Sequence, residues 1–315
     1  MVKENTPSGM RQAVLMVSAR SGTMLNSSLR SKAQFCFGQA MSLAQSTRRT
    51  TISHLDGAAA PEQREDLLAT EEPLEIRVSG KSVAVVMRTP GHDRELAAGF
   101  LVTEGIIHGH EDVLDMIYCR NDGGKPDQNV LDVLLAPTAK VDLTKLTRHV
   151  FTSSSCGICS KASIEAIQAQ FPEISRPLSP SRVVLGLLPD RLRAAQAGFD
   201  RTGGLHASAL FTEDGTLTVV REDVGRHNAL DKVVGYSFFA ESLPLAASIL
   251  LVSGRVSFEI MQKALGAGIP AVAAISAPTS AAVEFAQASG QVLVGFLRPS
   301  AKPAKGMRMN VYAGT

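Results

Sequence analysis

The sequence predicts an α/β fold preceded by a smaller α+β region, and two patterns carry that prediction. Beyond Pro177, continuous apolar runs alternate with helical segments, an order that gives parallel strands joined by right-handed crossovers. Before residue 150, alternating apolar and polar residues separated by turn sequences predict a small sheet with one helix. The chain has 315 residues, of which 44% are hydrophobic and 20% charged, as is typical of a globular protein.

The first two segments of the chain differ sharply in composition. Residues 1–65 are rich in Ser, Thr, Gln and Arg with only short apolar patches, so we predict a disordered extension there. Residues 66–150 are predicted to form the small α+β region, which begins with a hairpin. Residues 74–78 alternate at period two, Ser79-Gly80 supplies a turn, and residues 83–87 form the second apolar run.

One helix and two further strands complete the predicted α+β region. Helix-forming residues after Pro90 predict a helix with Asp93 as its N-cap and with its end near Gly105. Residues 113–118 and 130–135 are predicted to be strands on either side of a turn rich in glycine.

Two thiols lie three residues apart in Cys156-Gly157-Ile158-Cys159, within a run of small polar residues. We predict that residues 151–176 form an exposed loop around this motif and a following helix. The motif has no second pair of ligands at metal-binding spacing, so it cannot complete a four-ligand zinc site by itself. Persulfide, disulfide and metal chemistry all stay open on the residues alone. The two other cysteines, Cys36 and Cys119, are too few for a disulfide-rich secreted scaffold, which favours a reducing, cytoplasmic setting.

Residues 177–315 are predicted to form the α/β domain. The predicted strands are residues 207–211, 217–221, 247–252, 271–275 and 291–296, and the predicted helices are residues 228–239, 258–265 and 280–288. The last three strands are expected to lie parallel to one another, because a helix separates each from the next.

Three polar clusters fall at the ends of these predicted elements. Ser253-Gly254-Arg255 follows a buried strand, the position where open α/β sheets bind ligands and helix N-termini favour anions. Residues 221–232 hold seven ionisable side chains, and Arg226 and His227 among them suit phosphate and purine edges. His206 follows a glycine pair that permits close backbone approach. The alternatives are an ordinary turn, a solvated helix start and a structural histidine.

Charge and hydropathy exclude two classes of partner. The net charge of +2 is too small for a general attraction to nucleic acid. No apolar run reaches the roughly eighteen residues that a bilayer requires, so neither membrane anchoring nor export is predicted.

Six groups of residues occur in a characteristic order. They are Ala97-Ala98-Gly99-Phe100-Leu101 with Glu104-Gly105-Ile106-Ile107, Cys156-Gly157-Ile158-Cys159, Thr202-Gly203-Gly204-Leu205-His206-Ala207, Glu222-Asp223-Val224-Gly225-Arg226-His227-Asn228-Ala229-Leu230-Asp231-Lys232, Ser253-Gly254-Arg255 and Val294-Gly295-Phe296-Leu297-Arg298. Over roughly residues 70–315 the chain therefore resembles the FdhD/NarQ family, the formate dehydrogenase accessory proteins that carry sulfur for the molybdenum cofactor. The resemblance implies a three-layer, cytidine-deaminase-like fold for the α/β domain.

The resemblance also implies a sulfurtransferase. In such a protein a cysteine desulfurase passes sulfur to Cys156 as a persulfide, which then transfers it to the molybdenum of bis(molybdopterin guanine dinucleotide). The loaded cofactor enters formate dehydrogenase, while Cys159 assists the transfer or resolves the persulfide as a disulfide. A homodimer is the family expectation. The cofactor is cargo, GDP is expected to mimic part of it, and no metal is expected to reside in the protein.

Two pyrophosphates and two guanines require cations, backbone donors and polar groups in the receiving site. The family stretch that matches residues 296–300 contacts the cofactor, and the polar clusters supply further candidates. The predicted cofactor-binding residues are Phe296, Leu297, Arg298, Pro299, Ser300, Arg308, Arg226, His227, Asn228, Lys232, Ser253, Gly254, Arg255 and His206.

Two other functions compete with the sulfur carrier. One is a non-catalytic chaperone of the molybdenum cofactor, whose cysteines hold a zinc ion between two subunits. The other is a thiol-disulfide oxidoreductase, suggested by the C-x-x-C motif alone. Zinc deaminase chemistry is not predicted, because His206-Ala207-Ser208 follows the cysteines and lacks the required Glu.

Overall fold

The computed structural model describes residues 43–57, 59–121, 123–139, 141, 171, 173–174, 176–299 and 307–314. The strands within these residues are β1 (Thr47–His54), β2 (Glu62–Ala69), β3 (Glu72–Val78), β4 (Lys81–Arg88), β5 (Val113–Arg120), β6 (Pro126–Leu135), β7 (His206–Thr212), β8 (Leu217–Asp223), β9 (Ser248–Val252), β10 (Ala271–Ala274), β11 (Val292–Pro299) and β12 (Met307–Ala313). The helices are α1 (Leu43–Ser46), α2 (Asp93–Thr103), α3 (Arg182–Ala194), α4 (Ala197–Thr202), α5 (Arg226–Phe239), α6 (Phe258–Gly266) and α7 (Ser280–Ser289). None of these helices is long and apolar enough to span a membrane.

The larger sheet has six strands in the order β12-β11-β10-β9-β7-β8. Strands β9, β10 and β11 are parallel neighbours, connected by α6 and α7, and the remaining pairs are antiparallel. This arrangement confirms the α/β prediction for the second half of the chain. Helices α3 and α4 and the edge strand β12 were not predicted from the sequence.

Helices cover both faces of the larger sheet. Leu185, Leu188 and Leu192 of α3 pack with alternate residues of β7, β9, β10 and β11 on one face. On the other face, buried residues of α5, α6 and α7 form a second core with the intervening strand residues. Three layers therefore bury strands that are apolar on both sides, which explains why they appear in the sequence as continuous apolar runs.

The smaller sheet has the strand order β4-β3-β6-β5, and α2 packs on it. The predicted hairpin is confirmed, with Ser79 and Gly80 both at positive φ in its turn. The prediction of Asp93 as an N-cap is wrong, because His92 occupies that position in a left-handed conformation. Asp93 is buried and pairs with Arg88 through two hydrogen bonds of 3.0 and 3.1 Å. The Asp93 carboxylate therefore neutralises the buried guanidinium of Arg88 and is not available to cap the helix.

The two parts of the fold share a core where α2 crosses α5. A Cβ atom added to Gly99 would lie 1.7 Å from the carbonyl oxygen of Asp231, and one added to Gly235 would lie 1.8 Å from that of Glu95. Only glycine allows the two helix backbones to approach this closely. The seam between the smaller sheet and the α/β domain is thus set by two residues without side chains.

The disordered extension predicted for residues 1–65 is corrected over its last part. Helix α1 and strands β1 and β2 occupy residues 43–69, and β1 pairs with β2 along its whole length, from Thr47 opposite Ala69 to His54 opposite Glu62. The composition was misleading because this ribbon is held by backbone hydrogen bonds and exposes most of its side chains. The other predicted region boundaries remain predictions.

Candidate functional site

The carboxyl ends of β9, β10 and β11 meet at one edge of the larger sheet, where the following loops are hydrogen-bonded to one another. Val256 forms a parallel bridge with Pro278, and the Phe296 backbone N–H donates to the Ser276 carbonyl at 3.0 Å. Antiparallel β7 begins at the same edge with His206. This is the edge at which open α/β sheets bind ligands.

His206, Arg226 and Gly254 converge at this edge from three different elements. A Cβ atom at Gly254 would lie 3.4 Å from His206 Nδ1 and 3.4 Å from Arg226 Cδ. The missing side chain therefore leaves space directly beside an imidazole and a guanidinium stem. Three of the predicted site residues, distant in sequence, are brought together here.

Two polar atoms at this edge are buried without a hydrogen-bond partner among the described residues. They are Nε of Arg226, the first residue of α5, and Oγ of Ser208, which lies two residues after His206 on the same face of β7. Buried polar groups are normally paired, so these two unpaired atoms mark the edge as a place where a bound ligand would supply the missing partners. Ser208 was not predicted from the sequence, although its alternation with His206 is a signal that could have identified it.

Burial and the neighbouring charges keep the imidazole of His206 neutral near pH 7. Burial lowers the pKa of His206, and the nearby charges of Arg226 and His227 lower it further, while Asp223 acts in the opposite direction. A neutral imidazole offers one donor and one acceptor to a ligand. The positive charge of the site is therefore supplied by Arg226.

His227 faces a carboxylate at the start of α6. Its Nε2 lies 3.0 Å from Glu259 Oε2 and 3.3 Å from Ser257 Oγ. The hydrogen bond from His227 lowers the pKa of Glu259 despite its partial burial. Glu259 and Ser257 were also missed by the sequence prediction, because the contact joins residues about thirty positions apart.

Ser253 and Arg255 differ in what they offer to a ligand. Ser253 Oγ accepts from the Ala207 backbone N–H at 2.9 Å, which fixes the end of β9 against β7. Arg255 is exposed. Ser253 thus shapes the edge, and Arg255 is available to a ligand.

Asn228 and Lys232 are corrected as predicted cofactor contacts. Lys232 is fully buried, and its Nζ lies 2.7 Å from Asp223 Oδ2 and donates to the Thr89 carbonyl at 2.9 Å. Asn228 is also buried and donates to Asp223 Oδ1 and to the Met87 carbonyl, at 2.9 and 2.7 Å. Their donors are used internally, so both residues support the site from below.

The C-terminal part of the predicted site contains the aromatic ring of Phe296 and two guanidinium groups close to it. Phe296 has a positive φ of 53°, and its ring lies 5.4 Å from the Arg298 guanidinium carbon and 5.6 Å from that of Arg308. Leu297 is corrected, because it is fully buried in the core beneath α3. Pro299 ends β11, and Ser300 lies outside the described residues.

The thiols predicted to carry the chemistry, Cys156 and Cys159, and the loop and helix predicted for residues 151–176 lie outside the part of the chain that the structure describes, apart from isolated residues. Cys119 on β5 is a free, half-buried thiol. No group of three or more metal-ligating side chains occurs within the described ranges.

A polar cavity of about 300 Å³ opens elsewhere, between the N-terminal ribbon and α2. Its deepest cation is Arg88, whose guanidinium already donates to Asp93, Gln128 and Asn129. This cavity therefore offers no free buried charge, in contrast to the edge that carries Arg226.

Comparison with known proteins places this architecture in a family. The model of the FdhD/NarQ family matches residues 69–315. A protein from Streptomyces coelicolor named sulfur carrier protein FdhD is 53% identical over 274 residues, covering 85% of this chain and 93% of the relative. A protein of the same name from Mycobacterium tuberculosis is 53% identical over 256 residues, covering 79% of this chain and 90% of the relative.

A solved structure supports the fold. The crystal structure of a chain from Desulfotalea psychrophila, assigned as a formate dehydrogenase accessory protein, matches with a TM-score of 0.63 and 21% sequence identity. The match covers 85% of this chain and 96% of the other. The six ordered motifs, the family model and the relatives all agree, and the chain belongs to the FdhD/NarQ family.

Proposed function

We propose that this protein is a sulfur carrier that serves the maturation of formate dehydrogenase. The observation that carries the proposal is the family match over residues 69–315, with relatives more than 50% identical that are named sulfur carrier proteins. The proposed setting is the cytoplasm, where a reduced Cys156-x-x-Cys159 motif stays available for transfer.

The proposed chemistry is persulfide relay through Cys156. Its thiolate attacks the outer sulfur of a persulfide on a cysteine desulfurase, so that a new S–S bond forms on Cys156 and the desulfurase cysteine leaves as a thiolate. Cys159 lies close enough in sequence for its thiolate to attack the inner sulfur of the persulfide, so that a Cys156–Cys159 disulfide forms and the outer sulfur leaves as hydrosulfide. A cellular thiol reductant then restores the two thiols. The acceptor in this proposal is the molybdenum of bis(molybdopterin guanine dinucleotide), bound as cargo.

The described edge of the larger sheet supports the binding of such cargo. Arg226 and Arg255 provide positive charge for a pyrophosphate, beside the neutral donor and acceptor of His206. The guanidinium groups of Arg298 and Arg308 beside the Phe296 ring provide cations for phosphate and planar groups of the kind on which purines stack. Proteins that handle a nucleotide-bearing cofactor need both features.

Intact-protein mass spectrometry tests the sulfur relay. The wild-type chain is incubated with a cysteine desulfurase and cysteine, beside Cys156→Ala, Cys159→Ala and Cys119→Ala. We expect a gain of one sulfur atom that a reductant removes, that Cys156→Ala abolishes, and that Cys119→Ala leaves unchanged. A wild-type chain that gains no sulfur contradicts the relay.

Titration with GDP tests the cargo site separately. We expect the wild-type chain to bind GDP, and Phe296→Ala and Arg226→Gln each to weaken binding by about tenfold. GDP binding without sulfur uptake would favour the cofactor chaperone, and reduction of a disulfide substrate would favour the oxidoreductase. Light scattering tests the proposed homodimer.

A further inference from the structure

A buried carboxylate beneath the candidate site holds together the turn that leads into α5. Asp223, the last residue of β8, is fully buried. Its Oδ2 accepts from the Thr89 backbone N–H at 3.1 Å and lies 2.7 Å from Lys232 Nζ. Its Oδ1 accepts from the Gly225 backbone N–H at 2.8 Å and from Asn228 Nδ2 at 2.9 Å. All four contacts are made by one side chain.

The same turn is held from the side of the smaller sheet. Thr89 follows β4, and its Oγ1 accepts from the Val224 backbone N–H at 3.2 Å, while its carbonyl accepts from Lys232 at 2.9 Å. Asn228 reaches the Met87 carbonyl of β4 at 2.7 Å. Contacts in both directions therefore lock the β8–α5 turn against the end of β4.

This turn carries the cation of the site. Arg226 follows Gly225 directly, and its Nε has no hydrogen-bond partner among the described residues, so the backbone of the turn determines where the guanidinium stem begins. We propose that Asp223 is a positioning residue for the candidate site, holding Arg226 and His227 toward His206 and Gly254. This inference rests on the proposed function, because it concerns the same binding edge.

Asp223 also acts on the site electrostatically. Among the groups that face His206, Arg226 and His227 on α5 disfavour its protonated form, and Asp223 at the end of β8 favours it. Neutralising Asp223 therefore acts on the pKa of His206 in two opposing ways. Losing the carboxylate alone lowers this pKa, whereas releasing Arg226, whose effect is larger, raises it.

The test compares Asp223→Asn with Glu95→Gln in the full chain. Both changes neutralise a carboxylate that joins the part of the chain around the smaller sheet to β8 or its end, but Glu95 is only half-buried and bonds to Arg221 rather than to the β8–α5 turn. We expect Asp223→Asn to weaken GDP binding by about tenfold or more, and Glu95→Gln to leave it within about twofold. By NMR titration, the pKa of His206 should rise in Asp223→Asn alone, because the released Arg226 no longer lowers it.

Equal losses of GDP affinity in the two variants, or a His206 pKa that falls or stays unchanged in Asp223→Asn, would overturn the proposal. If Asp223→Asn does not fold, Thr89→Val replaces it, because that change removes only the Oγ1 acceptor of Val224. We then expect an affinity loss of about threefold with a slightly lowered midpoint of thermal unfolding, and no loss of affinity would overturn the proposal.

Failure of the proposed function gives a different result. A wild-type chain that does not bind GDP counts against the cargo site alone. The positioning role is then decided by the His206 titration and by hydrogen exchange at residues 224–228. Faster exchange there in Asp223→Asn than in Glu95→Gln supports it, and equal exchange contradicts it.

Discussion

The middle of helix α5 and its N-terminus are built in opposite ways. In the middle, Gly235 contacts the α2 backbone, and Asp231 is buried with hydrogen bonds to Lys263 and Thr103. At the N-terminus, Arg226 Nε has no hydrogen-bond partner within the described ranges and lies near a histidine whose pKa is lowered. The polar groups in the middle of α5 thus have partners within the fold, whereas an atom at its N-terminus lacks one among the described residues. The residues that stabilise the fold are therefore distinct from those available to a ligand.

The largest effect is expected at the seam itself. Without relaxation, Gly99→Ala and Gly235→Ala would place the added methyl carbon 1.7 and 1.8 Å, respectively, from a carbonyl oxygen of the facing helix backbone. Because neither backbone can rotate away as a side chain would, we expect a loss of at least about 3 kcal/mol in unfolding free energy. Urea denaturation measures this loss.

Gly186→Ala in α3 is the matched control for the seam glycines. Its added Cβ would lie 3.2 Å from Met307 Cγ, the middle of a flexible side chain. We expect a change within about 1 kcal/mol, because Ala also favours the helix. If all three substitutions destabilise the protein equally, the loss comes from replacing any helix glycine and not from the close approach of α2 and α5.

Asp231→Asn is expected to produce the next largest effect. It removes the charge that faces Lys263, whose pKa is raised because Asp231 and Glu104 outweigh the effect of burial. Glu104 remains 3.1 Å from Lys263 Nζ, so the buried ammonium keeps one carboxylate partner, and we expect a loss of about 2 kcal/mol of stability. Asp200→Asn, which removes the partner of Arg193 in an exposed pair, should cost less than about 0.5 kcal/mol in the same denaturation series.

Glu95→Gln should cost less than Asp231→Asn and should depend on pH. Burial alone would raise the pKa of Glu95, but hydrogen bonds from Arg221 and His92 outweigh it and lower the pKa below its ordinary 4.5. An acid with a depressed folded pKa stabilises the fold above its unfolded pKa and loses that contribution as the pH falls through the folded pKa. We expect a deficit of about 1.5 kcal/mol at pH 7 that shrinks below pH 4.5. A deficit independent of pH would contradict this account.

The sequence could predict elements wherever local pattern and tertiary environment agree. The β3–β4 hairpin and the three parallel strands were predicted because their apolar periodicity matches their burial. Lys232 and Leu297 were misjudged as ligand contacts because a motif shows residue type but not exposure. The β1–β2 ribbon was missed because it buries little apolar surface.

The sequence predicts where the site lies in the fold but not which side chains contact one another there. Strand order alone brings Gly254 and Phe296 to one edge, since parallel strands end together. The roles of Glu259 and Asp223 depend on pairings between distant segments, which no local spacing encodes.

Arg226→Gln is expected to have the smallest effect on stability and so tests the comparison most sharply. Because Arg226 Nε has no partner to lose among the described residues, we expect the free energy of unfolding to change by less than about 0.5 kcal/mol. The same change removes the positive charge beside His206, so GDP affinity should fall by about tenfold and the pKa of His206 should rise toward its ordinary value. A loss of stability as large as that of Asp231→Asn would mean that the N-terminus of α5 is part of the structural seam after all. A stable variant with weakened GDP binding would show that the two ends of this helix serve different purposes.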